Sequence, residues 1–166
     1  MLTGLPPVVS PATRLLVLGS FPGAASLAAQ QYYAHPRNHF WPIVTTLLAK
    51  DTAAVLALGY ADRCNWLLQQ GLGLWDVYAA CERQGSLDSA IRDAQTNDFG
   101  TLRQHCPALR AIAHNGGESY RHAQHTAALG VPVVKLPSTS PANASWSFDR
   151  KLAAWRAVLV AHELIA

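Results

Sequence analysis

LLVLGSFPGAASLAAQQYYAHPRNHFW, residues 15–41, opens with a short uninterrupted apolar run at 15–18 that empties into Gly19-Ser20. An apolar run of this length, closed by a turn former, predicts a strand buried on both faces of a parallel sheet. The pattern recurs outward from there. LGLWDVY (72–78) reads as a second strand, LRAIAH (109–114) as a third that runs into Asn115-Gly116-Gly117, and VPVVKL (131–136) as a fourth that opens into PSTSPANASWS. Helical stretches separate them: 38–50 with Pro42 near its first turn, 53–70 stopping at Gly71, and a short helix from a Ser86 cap to Asp93. Another starts at Asn97 or Asp98 and ends before Pro107, one runs to Leu129 with Gly130 as a left-handed stop, and an amphipathic helix over 148–164 closes the chain. Residues 1–14 read as irregular. Strands alternating with helices predict an α/β fold of three layers, with a central four-stranded parallel sheet covered on both faces. The whole of 1–166 reads as one domain.

Half of the 166 residues are hydrophobic and 14% are charged, which excludes a disordered chain. No apolar run approaches the ~20 residues that span a bilayer, and the N-terminus lacks a basic stretch followed by an apolar core, so a cytoplasmic protein with no membrane partner is expected. Cys64, Cys81 and Cys106 are scattered and odd in number, with no CxxC pair to hold zinc or an iron–sulfur cluster. His122 and His125 share a helical face but have no carboxylate company, and a solvated surface explains them. No metal and no cofactor is expected. The net charge of +3 comes from ten Arg and three Lys against ten acids, an arginine-heavy balance that permits a nucleic-acid partner without requiring one.

In open parallel sheets, ligands bind beyond the carboxyl ends of the strands. Gly19-Ser20, Asn115-Gly116 and Ser138-Thr139-Ser140 all lie there and should converge on one cleft. Gly19, Pro22 and Gly23 shape a tight turn that lets a ligand approach the backbone. Tyr32, Tyr33, Phe40 and Trp41 suit an aromatic core anchor, but the polar cluster His35–Asn38 between them is not explained that way. Asn38 also reads as the N-cap of the helix behind it, and Asn115 as a simple turn residue.

GSFPG, YYAHPRN and the following Phe-Trp resemble the first motif region of the uracil-DNA glycosylase superfamily, and are closest to its hypoxanthine (deoxyinosine) DNA glycosylase family. LPSTSPANA (136–144) occupies the place of the superfamily's second motif loop, and GLWDVYAACERQGSLDSAIRD (73–93) also looks like this family, so the resemblance runs from about 15 to 155. It implies a uracil-DNA glycosylase-like fold and a monomeric, monofunctional enzyme of base excision repair. Such an enzyme hydrolyses the N-glycosidic bond of hypoxanthine or uracil flipped out of damaged DNA. It implies Asn38 as the catalytic polar group, holding water for an oxocarbenium-like sugar. Gly19, Ser20, Phe21, Pro22, Tyr33 and Asn115 become the base pocket, with Tyr33 stacking on the base and Asn115 reading its edge. Ser138, Thr139, Ser140 and Asn143 become the DNA-binding loop.

Two departures stand out. GSFPG carries neither the Asp nor the Asn that relatives use to activate water, and Leu136 replaces the His that opens the second motif in many members. The bulky wedge that fills the gap left by a flipped base has no counterpart in 136–144. His35, His39 and His114 could add positive charge or be structural. A lyase reaction would need an amine, and of Lys50, Lys135 and Lys151 only Lys135 adjoins a motif loop. The competing reading is a non-catalytic nucleotide- or lesion-binding α/β module, but GSFPG lacks the spacing of a phosphate-cradling loop. A serine hydrolase is disfavoured by the absence of GxSxG.

Overall fold

The computed structural model describes residues 1–166, starting with a two-residue strand β1 (Leu2–Thr3) and the fully buried strand β2 (Leu15–Gly19). Helices α1 (Ala24–Ala29), α2 (Phe40–Leu48), α3 (Thr52–Leu56) and α4 (Tyr60–Gln69) follow. Strands β3 (Leu72–Asp76) and β4 (Tyr78–Glu82), a 3-10 turn at Asp88–Ala90 and strand β5 (Arg92–Thr96) come next. The remainder is α5 (Leu102–His105), β6 (Ala111–Asn115), α6 (Gly117–Tyr120), α7 (Ala123–Ala127), β7 (Val133–Leu136) and α8 (Phe148–Ala161).

The central sheet has the order β3-β2-β6-β7 and every pairing in it is parallel. Alternation along β2 divides the core. Leu15 and Val17 join Phe40, Ile43, Leu67 and Trp155 beneath α2, α4 and α8, while Leu16 and Leu18 join Ile112, Leu102, Cys106 and Tyr78 on the other face. Both faces of β2 are therefore apolar, which is why its sequence is a continuous run and not an alternation. The three-layer α/β architecture and the four parallel strands stand as expected. Gly71, at φ 86°, ends α4 in the left-handed region as the sequence predicts.

Several expectations are corrected. Strand 72–78 stops at Asp76, because Val77 and Tyr78 turn their N–H groups onto the carbonyls of Gly19 and Ser20. The chain then leaves as β4 for a second, antiparallel sheet of order β1-β4-β5. That sheet also recruits the N-terminus, so residues 1–14 are not wholly irregular: Leu2 pairs with Cys81. The helix expected over 53–70 is two helices, because Gly59 is extended at φ −61°, ψ 159° and starts α4 afresh. No α-helix covers 86–93: the Ser86 hydroxyl accepts the N–H of Ala24 at the start of α1, only a 3-10 turn forms at Asp88–Ala90, and β5 follows. Conversely α1 lies inside a stretch that reads as loop. The helices after Asn97 and Gly117 are also shorter than expected, reduced to α5 and to the pair α6 and α7.

Candidate active site

Loops at the carboxyl ends of β2, β3, β6 and β7 enclose one cavity of about 1070 Å³, large enough to admit a nucleotide. Each residue that the sequence suggests for the site reaches its wall: Gly19, Ser20, Phe21 and Pro22 after β2, then Tyr33 and Asn38, then Asn115, then Ser138, Thr139, Ser140 and Asn143.

Tyr33 has φ 56°, a left-handed conformation that costs a non-glycine residue on the order of 1 kcal/mol. What holds it there is packing and one hydrogen bond. Its ring stacks on Phe40 at 4.2 Å between centroids and 22° between planes, and its hydroxyl accepts the Asn115 Nδ2–H at 3.2 Å. Burial, then the negative charge of Asp76, push the phenol well above its ordinary pKa, so it stays neutral. Asn38 Oδ1 accepts the Phe40 N–H at 2.9 Å. The side chain thus does the helix-start job that competes with a catalytic one. This bond also fixes the amide's rotation and leaves Nδ2 and the second Oδ1 lone pair facing other partners.

Asn115 and Thr139 form a clamp. Asn115 Oδ1 accepts the Thr139 N–H at 3.0 Å and Asn115 Nδ2 donates to Thr139 Oγ1 at 3.0 Å, while the Thr139 carbonyl accepts the His39 N–H at 3.0 Å. Three segments meet at this one residue, which is 1% exposed. Thr139 thus serves as an internal tie between these segments while its residue also lines the cavity. Asn115 keeps one lone pair for a ligand. Ser138, Ser140 and Asn143 remain partly exposed. The hydroxyl oxygens of Ser138 and Ser140 accept the N–H groups of Ser140 and Ala142, which leaves both hydroxyl hydrogens free to donate. Lys151, 1% exposed, backs this loop by donating to His39 Nδ1 at 3.2 Å.

His114 and His39 contribute little charge. His114 is fully buried between the hydroxyls of Ser119 and Thr126, both at 2.8 Å, and burial lowers its pKa to about 4. His39 is also lowered, by burial and then by Lys151.

Sequence reasoning missed Asp76. It stands at the end of β3 on the cavity wall, 4% exposed, and its Oδ2 is buried with no hydrogen-bond partner. Burial, then the charge of Asp88, raise its pKa to about 7, against a lowering by Arg83. The available signal was an acid at the end of an otherwise apolar strand, LGLWD. The segment Ser86–Ser89 was also missed. It forms part of the wall, tied to the first loop by Ser86 to Ala24 N–H and by Ser20 Oγ donating to Asp88 Oδ1 at 2.6 Å.

The fold and site thus define a parallel α/β/α protein with a nucleotide-sized pocket beyond its strand ends, walled by an aromatic stack and fixed amides. The sequence model of the uracil DNA glycosylase superfamily matches residues 6–159. The chain belongs to that superfamily. It is 36% identical over 140 residues to a protein of Methanosarcina barkeri named hypoxanthine DNA glycosylase, covering 84% of this chain and 87% of the relative. It is also 36% identical over 155 residues to one of the same name from Methanosarcina acetivorans, covering 93% and 96%. The solution NMR structure of a candidate uracil DNA glycosylase from Methanosarcina acetivorans superposes with a TM-score of 0.85 at 35% identity, covering 97% of this chain and 98% of that one.

Proposed function

We propose that this DNA glycosylase, which acts on deaminated bases, removes hypoxanthine and uracil from DNA by a monofunctional route in which Asn38 positions the attacking water. The observation that carries the reading is the convergence of four strand-end loops on one pocket, with the Asn38 amide held rigidly in its wall. In such a reaction the C1′–N bond breaks ahead of water addition, leaving a cationic sugar and an anionic base. A fixed neutral amide can orient water towards that cation without adding charge of its own. Tyr33, braced on Phe40, suits stacking on a flipped base, an interaction tolerant of base identity. The partly exposed hydroxyls of Ser138 and Ser140, with Arg37 and Lys135 also on the cavity wall, suit DNA phosphates. Leu87 supplies a wedge that the loop after β7 lacks. It is 55% exposed at the pocket rim, between the two residues that anchor its loop. A monomer in the cytoplasm completes the proposal.

Duplexes carrying one deoxyinosine, deoxyuridine or deoxyxanthosine test it directly. Alkali-labile abasic sites should form on the first two, with no adduct trapped by borohydride. Cleavage of none of the three would remove the reading, and a trapped adduct would turn attention to Lys135.

A further inference from the structure

Asp76 carries a buried carboxyl group that no other side chain hydrogen-bonds. Its Oδ2 is buried without a hydrogen bond, and the residue stands in the cavity wall. The groups around it are committed elsewhere. Arg83 donates to the Pro22 carbonyl at 2.6 Å and the Gly85 carbonyl at 2.9 Å and lies over the Phe21 ring, with only its Nη1 left unpartnered. Asp88 receives Ser20, Tyr32 donates to the Pro6 carbonyl at 2.7 Å, and Tyr33 receives Asn115. Gly19 lets the carboxyl sit against the backbone, since a Cβ at that position would collide with Asp76 Oδ1.

We propose that Asp76 is a further catalytic residue, which enters the reaction as the neutral acid and donates its O–H to the carbonyl edge of the departing base. The proposal rests on the glycosylase reading above. Asp76 is deep and Asn38 is partly exposed, so a base whose sugar bond lies beside Asn38 presents its far edge to Asp76. In hypoxanthine, joined through N9, that edge carries the C6 carbonyl; in uracil, joined through N1, it carries the C4 carbonyl. Deamination is what puts a carbonyl acceptor there in place of an amino donor.

When the C1′–N bond breaks, its electron pair leaves with the base and spreads into the ring and its carbonyl oxygens. A hydrogen-bond donor already aimed at that oxygen becomes stronger as charge develops, whereas an ionised carboxylate would oppose it. Water adds to C1′, and the proton it loses ends on the base. Asp76 can lend its own proton and recover one, so no proton is consumed. Burial and the neighbouring Asp88 carboxylate favour the neutral acid, with a pKa of about 7, while Arg83 pulls the other way.

The test is single-turnover excision of hypoxanthine and uracil between pH 5.5 and 9 by wild type, Asp76→Asn and Asp76→Ala. Wild-type rates should fall towards tenfold per pH unit above about 7. Asp76→Asn, which still offers a neutral N–H donor, should be slower at low pH but lose that fall. Asp76→Ala should lose roughly a hundredfold on uracil and clearly less on 5-fluorouracil, whose anion needs less help. Wild-type excision that rises with pH, or a profile unchanged in Asp76→Asn, would overturn this role and leave the glycosylase reading standing. Wild type inert towards every base and pH would remove both.

Discussion

At the residue scale, Asp76 and Asn38 show two ways of placing a polar group in a pocket. Asn38 is fixed by one hydrogen bond to its amide oxygen, and Asp76 is held by burial with its Oδ2 left unsatisfied. The second way carries a stability cost with a definite sign. An ordinary aspartate ionises near 3.8, whereas Asp76 holds its proton to about 7 in the folded protein. Between those values folding takes up a proton, so the Asp76 contribution improves as pH falls from 7 and is most unfavourable above 7. Asp76→Asn should therefore be more stable than wild type at pH 8, by on the order of 2 kcal/mol. The gap should close near pH 4. His114 opposes this trend, because its depressed pKa of about 4 makes stability fall as pH drops below 6.5. It does so equally in both proteins, so thermal unfolding of the pair against pH isolates Asp76. An Asp76→Asn protein less stable than wild type at pH 8 would mean the carboxyl has a partner.

At the scale of elements, the sequence made the parallel strands legible and the connections much less so. β2 is four apolar residues and a glycine, a pattern that only two-sided burial explains. The site loops were legible for the same reason: each is a polar cluster at the end of such a run. What escaped notice depends on tertiary partners. α1 has no side-chain cap and no charge at either end, so nothing local marks it. β5 is exposed along its length and is a strand only because β4 pairs with it. Asp76 was hidden because β3 reads through it into Val77, and only the turn onto Gly19 and Ser20 makes it a strand end. The Ser86–Ser89 segment reaches the pocket for the same kind of reason, and this gives Leu87 a testable part. Leu87→Ala should leave thermal stability within about 0.5 kcal/mol, as expected of an exposed residue. It should slow excision from duplex roughly tenfold while sparing single strands, where no stack needs holding open. Equal losses on both substrates, measured side by side under single-turnover conditions, would assign Leu87 to the pocket instead.

At the scale of the whole molecule, the fold brings four strand ends to one rim, and the clamp through Thr139 locks the loop after β2 to those after β6 and β7. The pocket is thus built before any ligand arrives, as catalysis by a weak group such as an amide demands. That is why Asn38 carries the central claim. Replacing a preorganised contact that acts mainly at the transition state costs on the order of 3 kcal/mol, roughly a hundredfold in rate. Its bond to Phe40 N–H makes a modest loss of stability expected as well, about 1 kcal/mol. Asn38→Asp and Asn38→Ser keep a capping oxygen and so separate the two jobs. The decisive measurement is single-turnover release of hypoxanthine from a deoxyinosine duplex by wild type and the Ala, Asp and Ser variants, beside their thermal unfolding. The account predicts that Asn38→Ala loses about a hundredfold in rate with its lesion-DNA affinity largely kept, and that Asn38→Ser restores stability but not rate. An Asn38→Ala protein that unfolds earlier yet releases hypoxanthine at the wild-type rate would contradict it.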